Sequence, residues 1–418
     1  MTMSIKMKDS GIKWIGNIPE HWYVMPNKYV MYKVKEIQDI YNNEDILSLS
    51  TDGVKIRDLD AGGKMPTTFD GYQKVEPGRL LMCLFDIDVT PRCIGLIKDK
   101  GLTSPSYSQF IVRENGYAPY YYYYYLNLDF DKILVHLAKN LRHSLTEDQL
   151  GAINVLVPSL SEQKSIADYL DKKIGEIDSA IKEANNLIDK YKSYKQSIIT
   201  KAVTKGIIPN VSMKDSGLPW IGEIPEHWEK KRGKYILSYL QKPSQEDDEV
   251  ITCFRDGEVT LRSNRREEGF TISEKEIGYQ GIDINDLVIH GMDGFAGAIG
   301  ISDSRGKASP VLVVLDSGEN KRYLMYYLRS LAYRDVFLAL ATGIRVRSCD
   351  LRWNKIANTA FIIPPIEEQQ DIADYLDDKC AQIDSIIESK NNLIKQLQEY
   401  KKSIIFEYVT GKKEVPNG

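Results

Sequence analysis

The chain repeats itself at an offset of 206 residues, and this repeat limits the folds that are open to it. Residues 7–22 read MKDSGIKWIGNIPEHW and residues 213–228 read MKDSGLPWIGEIPEHW, with 13 identities in 16 positions. We call these two stretches the lead segments. The same offset relates residues 166–171 to residues 372–377, which both read IADYLD. The chain therefore consists of two copies of one unit, and each copy has a lead segment, a variable middle and a tail.

The composition is that of an ordinary globular protein. The 418 residues are 42% apolar and 27% charged, and this length is enough for two to four domains. The sequence has no apolar run long enough to cross a bilayer and no signal-peptide pattern, so we expect a cytoplasmic protein without a membrane partner. The five cysteines form no CxxC pair, which argues against a zinc site and against a disulfide framework.

The lead segments are rich in Gly and Pro, a composition that cannot sustain a helix, and each is predicted to be an ordered clasp that runs into a first strand. Each lead segment also contains a Glu-His pair, at residues 20–21 and 226–227. Because no second metal ligand follows at helical spacing, we interpret these histidines as structural and expect no metal site.

Both middles alternate short apolar runs with Gly, Pro and Asp turns, which is typical of a β-rich fold. A helix is predicted after the strands, over residues 119–141 in the first middle and 323–341 in the second. The first of these helices contains six consecutive tyrosines, Tyr120 to Tyr125, and core packing is favoured over stacking on bases. The predicted strands are residues 46–49, 54–56, 80–85, 94–97 and 110–112, and then 250–253, 259–261, 287–290, 299–301 and 311–315.

The tails carry the strongest helical pattern, with apolar residues spaced alternately by three and four, as in a coiled-coil seam. We predict long helices over residues 159–206 and 365–411. A helix this long cannot bury its apolar stripe on one small domain, so the two helices are expected to bury each other. The predicted seam consists of Ile174, Ile177, Ile181 and Ile188 in the first tail and Ile383, Ile387, Ile394 and Leu397 in the second.

The expected fold class is α+β, with two tandemly repeated β-rich domains over residues 7–158 and 213–364, each followed by a long helix. In a duplicated chain the natural symmetry is a pseudo-twofold, which makes the two helices an antiparallel coiled coil. Parallel packing is the alternative. The same symmetry predicts that the end of the second helix, near Gly411, lies close to Met7.

Two motifs, present in both copies, carry a family resemblance. The motif WIGxIPxHW of the lead segments and the helix-start motif PxxxEQxxIAxxLD, followed by ID, closely resemble the specificity subunit of type I restriction-modification systems, over about residues 7–411. The resemblance implies that residues 7–158 and 213–364 are target-recognition domains, each reading one half of a split site in double-stranded DNA. It also implies that two modification (methyltransferase) subunits bind along the helices and that restriction subunits join them.

A chain of this kind is expected to have no catalytic site and no cofactor of its own, with S-adenosylmethionine and ATP bound by the partner subunits. The sequence agrees, since it contains no NPPY-like or DPPY-like methyltransferase motif, no GxxxxGK[ST] loop and no HExxH. Gly294, Gly297 and Gly300 follow GxxGxxG spacing, which we interpret as a turn between strands. Because the two middles differ in their side chains, the DNA site is expected to be asymmetric.

The net charge of −4 gives no general attraction for nucleic acid, so DNA binding has to rest on local basic residues. Arginine is the best candidate for reading guanine, because its guanidinium fits O6 and N7 together. For any one of these residues, a phosphate contact or a solvated surface charge is the alternative. The candidate DNA-contacting residues are Arg57, Arg79, Arg92, Lys139, Arg142 and His143 in the first middle and Arg255, Arg262, Arg265, Arg266, Arg345, Arg347 and Arg352 in the second.

Two other functions remain open at this point. A self-contained DNA modification enzyme would need a pocket for the methyl donor, for which the sequence gives no sign. A coiled-coil assembly protein without DNA readout would have no use for the clusters of arginine in the middles.

Overall fold

The computed structural model describes residues 6–61, 66–138, 143–265, 277–339 and 351–416. It divides into two compact units. Unit 1 contains Met1–Ala184 and Asn392–Gly418, and unit 2 contains Asn185–Asn391. Each unit therefore holds one lead segment and one middle together with segments of both long helices. In the part of the chain that the structure describes, no helix is long and apolar enough to cross a membrane.

The two long helices are α3, Leu160–Lys205, and α7, Ile366–Val409. The other helices of unit 1 are α1 (Ala118–Phe130) and α2 (Glu147–Ala152), with 3-10 turns at Asn27–Tyr29 and Ile133–Leu137. The strands of unit 1 are β1 (Met7–Asp9), β2 (Asn17–Pro19), β3 (Tyr23–Pro26), β4 (Met31–Val34), β5 (Ile37–Gln38), β6 (Leu47–Ser50), β7 (Gly53–Ile56), β8 (Tyr72–Val75), β9 (Leu80–Met82), β10 (Ile94–Leu96), β11 (Gly101–Thr103), β12 (Ser108–Val112) and β13 (Asn154–Val157).

Unit 2 repeats this arrangement. Its helices are α4 (Lys321–Tyr333), α5 (Val336–Ala339) and α6 (Trp353–Asn358), with 3-10 turns at Gly233–Tyr235, Arg262–Asn264 and Gly294–Ala296. Its strands are β14 (Met213–Asp215), β15 (Glu223–Pro225), β16 (Glu229–Arg232), β17 (Ser238–Leu240), β18 (Ile251–Cys253), β19 (Val259–Leu261), β20 (Gln280–Ile282), β21 (Leu287–His290), β22 (Ile299–Ile301), β23 (Gly306–Ala308), β24 (Leu312–Asp316) and β25 (Ala360–Ile363).

The central sheet of each unit has four antiparallel strands in equivalent order, β10-β9-β12-β4 in unit 1 and β22-β21-β24-β17 in unit 2. The predicted strands are present in both units. Strand β8 was not predicted, because its central residue, Gln73, is polar although it is fully buried. The Gln73 amide donates to the carbonyls of Ser104 and Tyr107 at 2.8 and 2.7 Å, and these bonds offset the cost of burying it.

The tyrosine helix α1 packs against the central sheet, and five of its six consecutive tyrosines are buried. The prediction of core packing is confirmed. The two helices predicted over residues 119–141 and 323–341 are not continuous, and their predicted ends lie outside the described residues. Helix α1 ends at Phe130 because Lys132 adopts the left-handed conformation with φ of 50°, and α4 ends at Tyr333, two residues before Asp335 with φ of 56°.

Tyrosine hydroxyls join α1 to both long helices within unit 1. The Tyr123 hydroxyl donates to Asp171 Oδ1 on α3 at 2.6 Å, and the Tyr120 hydroxyl donates to the Val409 carbonyl at the end of α7 at 2.9 Å. One short helix therefore fixes the middle to two separate segments of the chain. Unit 2 has the same pairs, Tyr326 with Asp377 at 2.7 Å and Tyr323 with the Val203 carbonyl at 3.3 Å.

The long helices pack antiparallel in each unit. In unit 1 the rings of Tyr169 and Tyr408 lie 4.6 Å apart, and Lys401 Nζ lies 2.6 Å from Asp178 Oδ1, so residue numbers rise along α3 as they fall along α7. In unit 2, Lys195 forms the equivalent ion pair with Asp384, and the antiparallel arrangement is confirmed. Of the predicted seam residues, Ile174, Ile177, Ile188 and Ile383 are buried, and Ile181, Ile387, Ile394 and Leu397 are half-buried.

Each long helix is followed by a glycine with positive φ, Gly206 at 75° and Gly411 at 68°. A side chain at Gly411 would clash with Pro19, since its Cβ would lie 2.4 Å from Pro19 Cδ. The next residue, Lys412, donates from Nζ to the Ile15 carbonyl at 2.9 Å. The end of the second long helix therefore lies against the first lead segment, as the pseudo-twofold predicts.

Candidate nucleic-acid interface

Each lead segment is fixed to the start of a long helix by a shared glutamate. In unit 1, His21 Nε2 lies 2.7 Å from Glu162 Oε1, and the Trp22 indole N–H donates to the same oxygen at 3.0 Å. The other oxygen of Glu162 accepts from the Ser159 N–H at 3.1 Å and completes a capping box at the start of α3. Unit 2 has the same clasp, with His227 and Trp228 on Glu368 at 2.8 and 3.0 Å.

The clasp gives the histidines of the lead segments a structural partner, and the described residues contain no group of three potential metal ligands. Sequence reasoning missed the glutamate that holds each lead segment, because Glu162 lies far from His21 in the chain. The signal was available, since all three residue types recur at the 206-residue offset.

A buried glutamine fixes the start of the tyrosine helix to the same region. Gln163 Oε1 accepts from the Tyr117 N–H at 2.8 Å, and its amide donates to the Pro158 carbonyl at 2.9 Å. Gln369 does the same in unit 2, with the Asn320 N–H and the Pro364 carbonyl, both at 2.9 Å. The EQ pair of the helix-start motif is therefore the joint that orients each middle.

In unit 2, three loops of the second middle contact one another. The β18–β19 turn carries Arg255, whose Nη2 lies 2.8 Å from Asp293 Oδ1. The N–H of Leu351, which lies two residues before α6, donates to the Gly291 carbonyl at 2.9 Å. We call residues 254–258, 290–297 and 351–352 the turn cluster of unit 2.

The candidate arginines in this cluster and in contact with it differ in exposure. Arg255 is 64% exposed, and its ion pair with Asp293 leaves other guanidinium N–H groups for a ligand. Arg265 is 34% exposed; it pairs with Asp256 and Glu258 and lies over the Phe254 ring at 4.2 Å.

Two further candidates lie beside these residues. Arg262 donates from Nε to Thr252 Oγ1 at 3.3 Å, and Arg352 is exposed at the start of α6. Three candidates, Arg266, Arg345 and Arg347, lie outside the described residues.

Unit 1 has an equivalent turn cluster, formed by residues 50–53, 84–92 and 143–145. Arg92 donates from Nε to the Thr51 carbonyl in the β6–β7 turn at 3.3 Å, and the Ile87 N–H donates to the His143 carbonyl at 3.2 Å. His143 is 45% exposed, with Nε2 4.0 Å from Asp88. The structure therefore brings Arg92 and His143 to one cluster, and Lys139 and Arg142 lie outside the described residues.

Two first-middle candidates are held within the fold. Arg79 is 15% exposed and forms an ion pair with Glu36 at 2.9 Å, and Arg92 is 17% exposed and packs over the Phe130 ring. These guanidinium groups are poorly placed to reach a base. Arg57 is half-buried and interacts within the protein. The role of every candidate in DNA contact stays a prediction.

Sequence reasoning missed the exposed apolar residues of the turn clusters. Val89 and Phe85 are 74% and 39% exposed in unit 1, and Met292 is 52% exposed in unit 2. Apolar side chains can contact the thymine methyl group in the major groove. Asp86 and His143 also have positive φ, of 47° and 43°, and such strained positions concentrate at functional sites.

The glycines and cysteines of the middles are structural. Residues 294–296 form a 3-10 turn that is closed by Gly297 with φ of 97°, so the predicted turn between strands is confirmed. Cys83, Cys93, Cys253 and Cys380 are free and buried, and Cys349 lies outside the described residues. Burial raises the pKa of Cys93 and of Cys253 to about 12, so neither thiol is an activated nucleophile near neutral pH.

Comparisons with known proteins agree with this architecture. Residues 94–189 match a family model described as the type I restriction modification DNA specificity domain. The type I restriction enzyme MjaX specificity subunit of Methanocaldococcus jannaschii is 28% identical over 317 residues, which cover 72% of this chain and 69% of that protein. The MjaVIII specificity subunit of the same organism is 26% identical over 281 residues, 63% of each chain.

A solved chain from a study of complex assembly and conformational transition in the type I R-M system has the same fold. Its TM-score is 0.68 at 12% identity, over 95% of this chain and 99% of that chain. Family model, curated relatives and fold together confirm that this chain resembles the specificity subunits of type I restriction-modification systems.

Proposed function

We propose that this protein is the sequence-specific DNA-recognition subunit of a type I restriction-modification complex. The observation that carries the proposal is that two units share one framework but differ in their turn clusters. The clasp, the EQ joint and the helix ion pairs recur in both units. The turn clusters hold different side chains, Arg255 and Met292 in one and Phe85 and His143 in the other. Two readers of different sequence on one scaffold would recognise a bipartite, asymmetric DNA site.

Linking two readers in one chain raises the affinity for a split site, because the second contact becomes intramolecular. In the proposed complex, two modification subunits bind along the long helices and restriction subunits join them. The chain itself is non-catalytic, and S-adenosylmethionine and ATP are bound by those partners. It would act on DNA in the cytoplasm. The named activities of the similar proteins support this proposal, and the turn clusters supply the surfaces for it.

The test is adenine-methylation mapping in a host that expresses this chain together with its modification subunit. We expect a split, asymmetric motif that is methylated only when this chain is present. The modification subunit alone is the control. If an assembled complex adds no methylation, the protein is an assembly scaffold or an inactive recognition subunit, and the proposal is wrong.

A further inference from the structure

Unit 2 contains an open cleft of about 540 Å³ between the second half of α3 and the end of α4. Its walls include Lys201, Lys205 and Arg334, together with Ser197, Thr200 and Tyr333. The cleft lies outside the turn cluster, and none of the candidate DNA-contacting residues lines it.

The cleft is cationic and rich in hydrogen-bond donors. Lys201 and Arg334 are exposed and form no ion pair with the described residues. Lys205 donates from Nζ to the Glu223 carbonyl. This bond keeps the charged end of the Lys205 side chain at the cleft. Asp335 follows Arg334 but does not line the cleft, and no carboxylate does so among the described residues. Cations and hydroxyls without a competing carboxylate suit a phosphate group.

Unit 1 shows that the fold does not need the charges of Lys201 and Arg334. The two units align at an offset of 206 residues along the long helices and of 203 residues along the tyrosine helices. At the counterpart positions in unit 1 the charges are reversed and a large side chain replaces a small one. Glu407 occupies the position that corresponds to Lys201, Asp131 the position that corresponds to Arg334, and Phe406 the position that corresponds to Thr200.

In unit 1 the counterpart glutamate is also neutralised. Glu407 Oε2 lies 2.8 Å from Lys413 Nζ, whereas the unit 2 position that matches Lys413 is Ile207. The same scaffold is therefore built with and without these cations. The charge of the unit 2 cleft consequently requires an explanation other than folding.

One wall of the cleft adjoins the turn cluster of unit 2. Tyr333 lines the cleft, and a Cβ at Gly297 would lie 3.7 Å from Tyr333 Cε1. Gly297 closes the turn that holds Asp293, the partner of Arg255. A duplex whose bases contact the turn cluster carries phosphates on either side of those bases, so a cationic cleft beside the cluster can take them.

We propose that this cleft binds backbone phosphates of DNA next to the half-site read by unit 2, through Lys201 and Arg334. The inference rests on the proposed function and adds a sequence-independent contact to it. Because unit 1 has carboxylates at the counterpart positions, the two half-sites are held unequally, and the phosphate contact belongs to the second half alone.

The experiment uses the complex of this chain with its modification subunits and a fluorescein-labelled duplex that carries the mapped motif. Affinity is measured by anisotropy across a range of salt concentrations. Each phosphate contact adds about 0.9 to the slope of log K against log salt, so Lys201→Ala/Arg334→Ala should lower the slope by about 2. Binding to specific and to unrelated duplexes should weaken by the same factor, and the methylated motif should not change.

Two control variants separate charge from structure. Lys201→Arg/Arg334→Lys keeps both charges and should keep the wild-type slope. Lys190→Ala removes an exposed lysine that lies on α3 outside the cleft, and it should also leave the slope unchanged.

Three results would overturn the inference while the proposed function stands: an unchanged slope in the double variant, a loss confined to one base position, or loss of the modification subunits from the complex. The last result would assign the cleft to a protein partner. A wild-type complex that binds no DNA would instead refute the proposed function and the inference together.

Discussion

Neighbouring residues of identical type have different roles in the tyrosine helix, because each step along a helix turns the side chain by about 100°. Tyr123 points its hydroxyl at Asp171 on α3, at 2.6 Å. Tyr125 is fully buried, and its hydroxyl has no hydrogen-bond partner among the described residues. Two residues that look the same in the sequence therefore contribute oppositely to stability.

We predict that Tyr123→Phe lowers the free energy of unfolding by about 1–2 kcal/mol, because Asp171 loses its donor. Tyr125→Phe should be neutral or stabilising, since it removes a buried hydroxyl that makes no bond. Urea denaturation of the two variants beside wild type measures the difference. Equal losses in both variants would show that the hydroxyl of Tyr125 is bonded.

The sequence predicts the burial of side chains reliably. It predicts less reliably which polar groups form hydrogen bonds or ion pairs with each other. Aromatic residues on a helix beside a sheet indicate a core, and the buried tyrosines agree. The burial of Arg79 and Arg92 was not predictable, because Glu36 and Asp129 reach them only through tertiary packing. Charge alone made these two arginines look like surface residues.

At the scale of elements, the start of α3 is where several weak interactions act together. Glu162 accepts from Ser159, His21 and Trp22, so one carboxylate caps a helix and holds a lead segment. Although burial alone raises the pKa of Glu162, hydrogen bonds from Ser159, His21 and Trp22 leave it below the ordinary value of 4.5. The clasp therefore depends on the charged form of this side chain.

A group whose pKa is lowered by folding stabilises the native state above its unfolded pKa, and this contribution is lost as the pH falls. We expect Glu162→Gln to lower the free energy of unfolding at pH 7 by about 1 kcal/mol. The difference in the free energy of unfolding between wild type and the variant should shrink below pH 4.5. Denaturation at several pH values measures it. Glu183→Gln, at an exposed position on the same helix, is the control, and a gap that is constant with pH would contradict the role of the charge.

The long helices and many short strands were predicted, whereas some helix ends and other short strands were not. The ends of α3 and α7 fall within a residue or two of the prediction because capping residues and glycines mark them. The end of α1 was missed, since Lys132 gives no sequence signal for the left-handed conformation that it adopts. Some short strands carry too little apolar alternation to be recognised, and the polar residue Gln73 is the reason that β8 was missed.

At the scale of the whole molecule, unit 1 is assembled from two separate parts of the chain, whereas unit 2 is one continuous part. Unit 1 combines Met1–Ala184 with Asn392–Gly418, and Lys412 contacts the Ile15 carbonyl in the first lead segment. The repeat in the sequence predicted this closure, because a pseudo-twofold requires the last helix to end where the chain begins.

We therefore predict that a circular permutant folds when it is opened between Gly206 and Ser212 and its original ends are joined by a short linker. The join lies within unit 1, where the end of α7 already contacts the first lead segment, so it should add little strain. Circular dichroism and methylation mapping of the permutant measure folding and function. An insoluble permutant would contradict the contact between the end of α7 and the first lead segment. The control is a permutant that is joined in the same way but opened inside β21, which should be destabilised.

The bond from Tyr120 to the carbonyl of Val409 has a consequence for synthesis. The ribosome makes the first middle early, yet that middle cannot be completed until the last turns of α7 emerge. All of unit 2, Asn185–Asn391, has been synthesised before the final segment of unit 1. The order of completion is thus the reverse of the order of translation, and a chain that stops short of its end leaves its first domain unfinished.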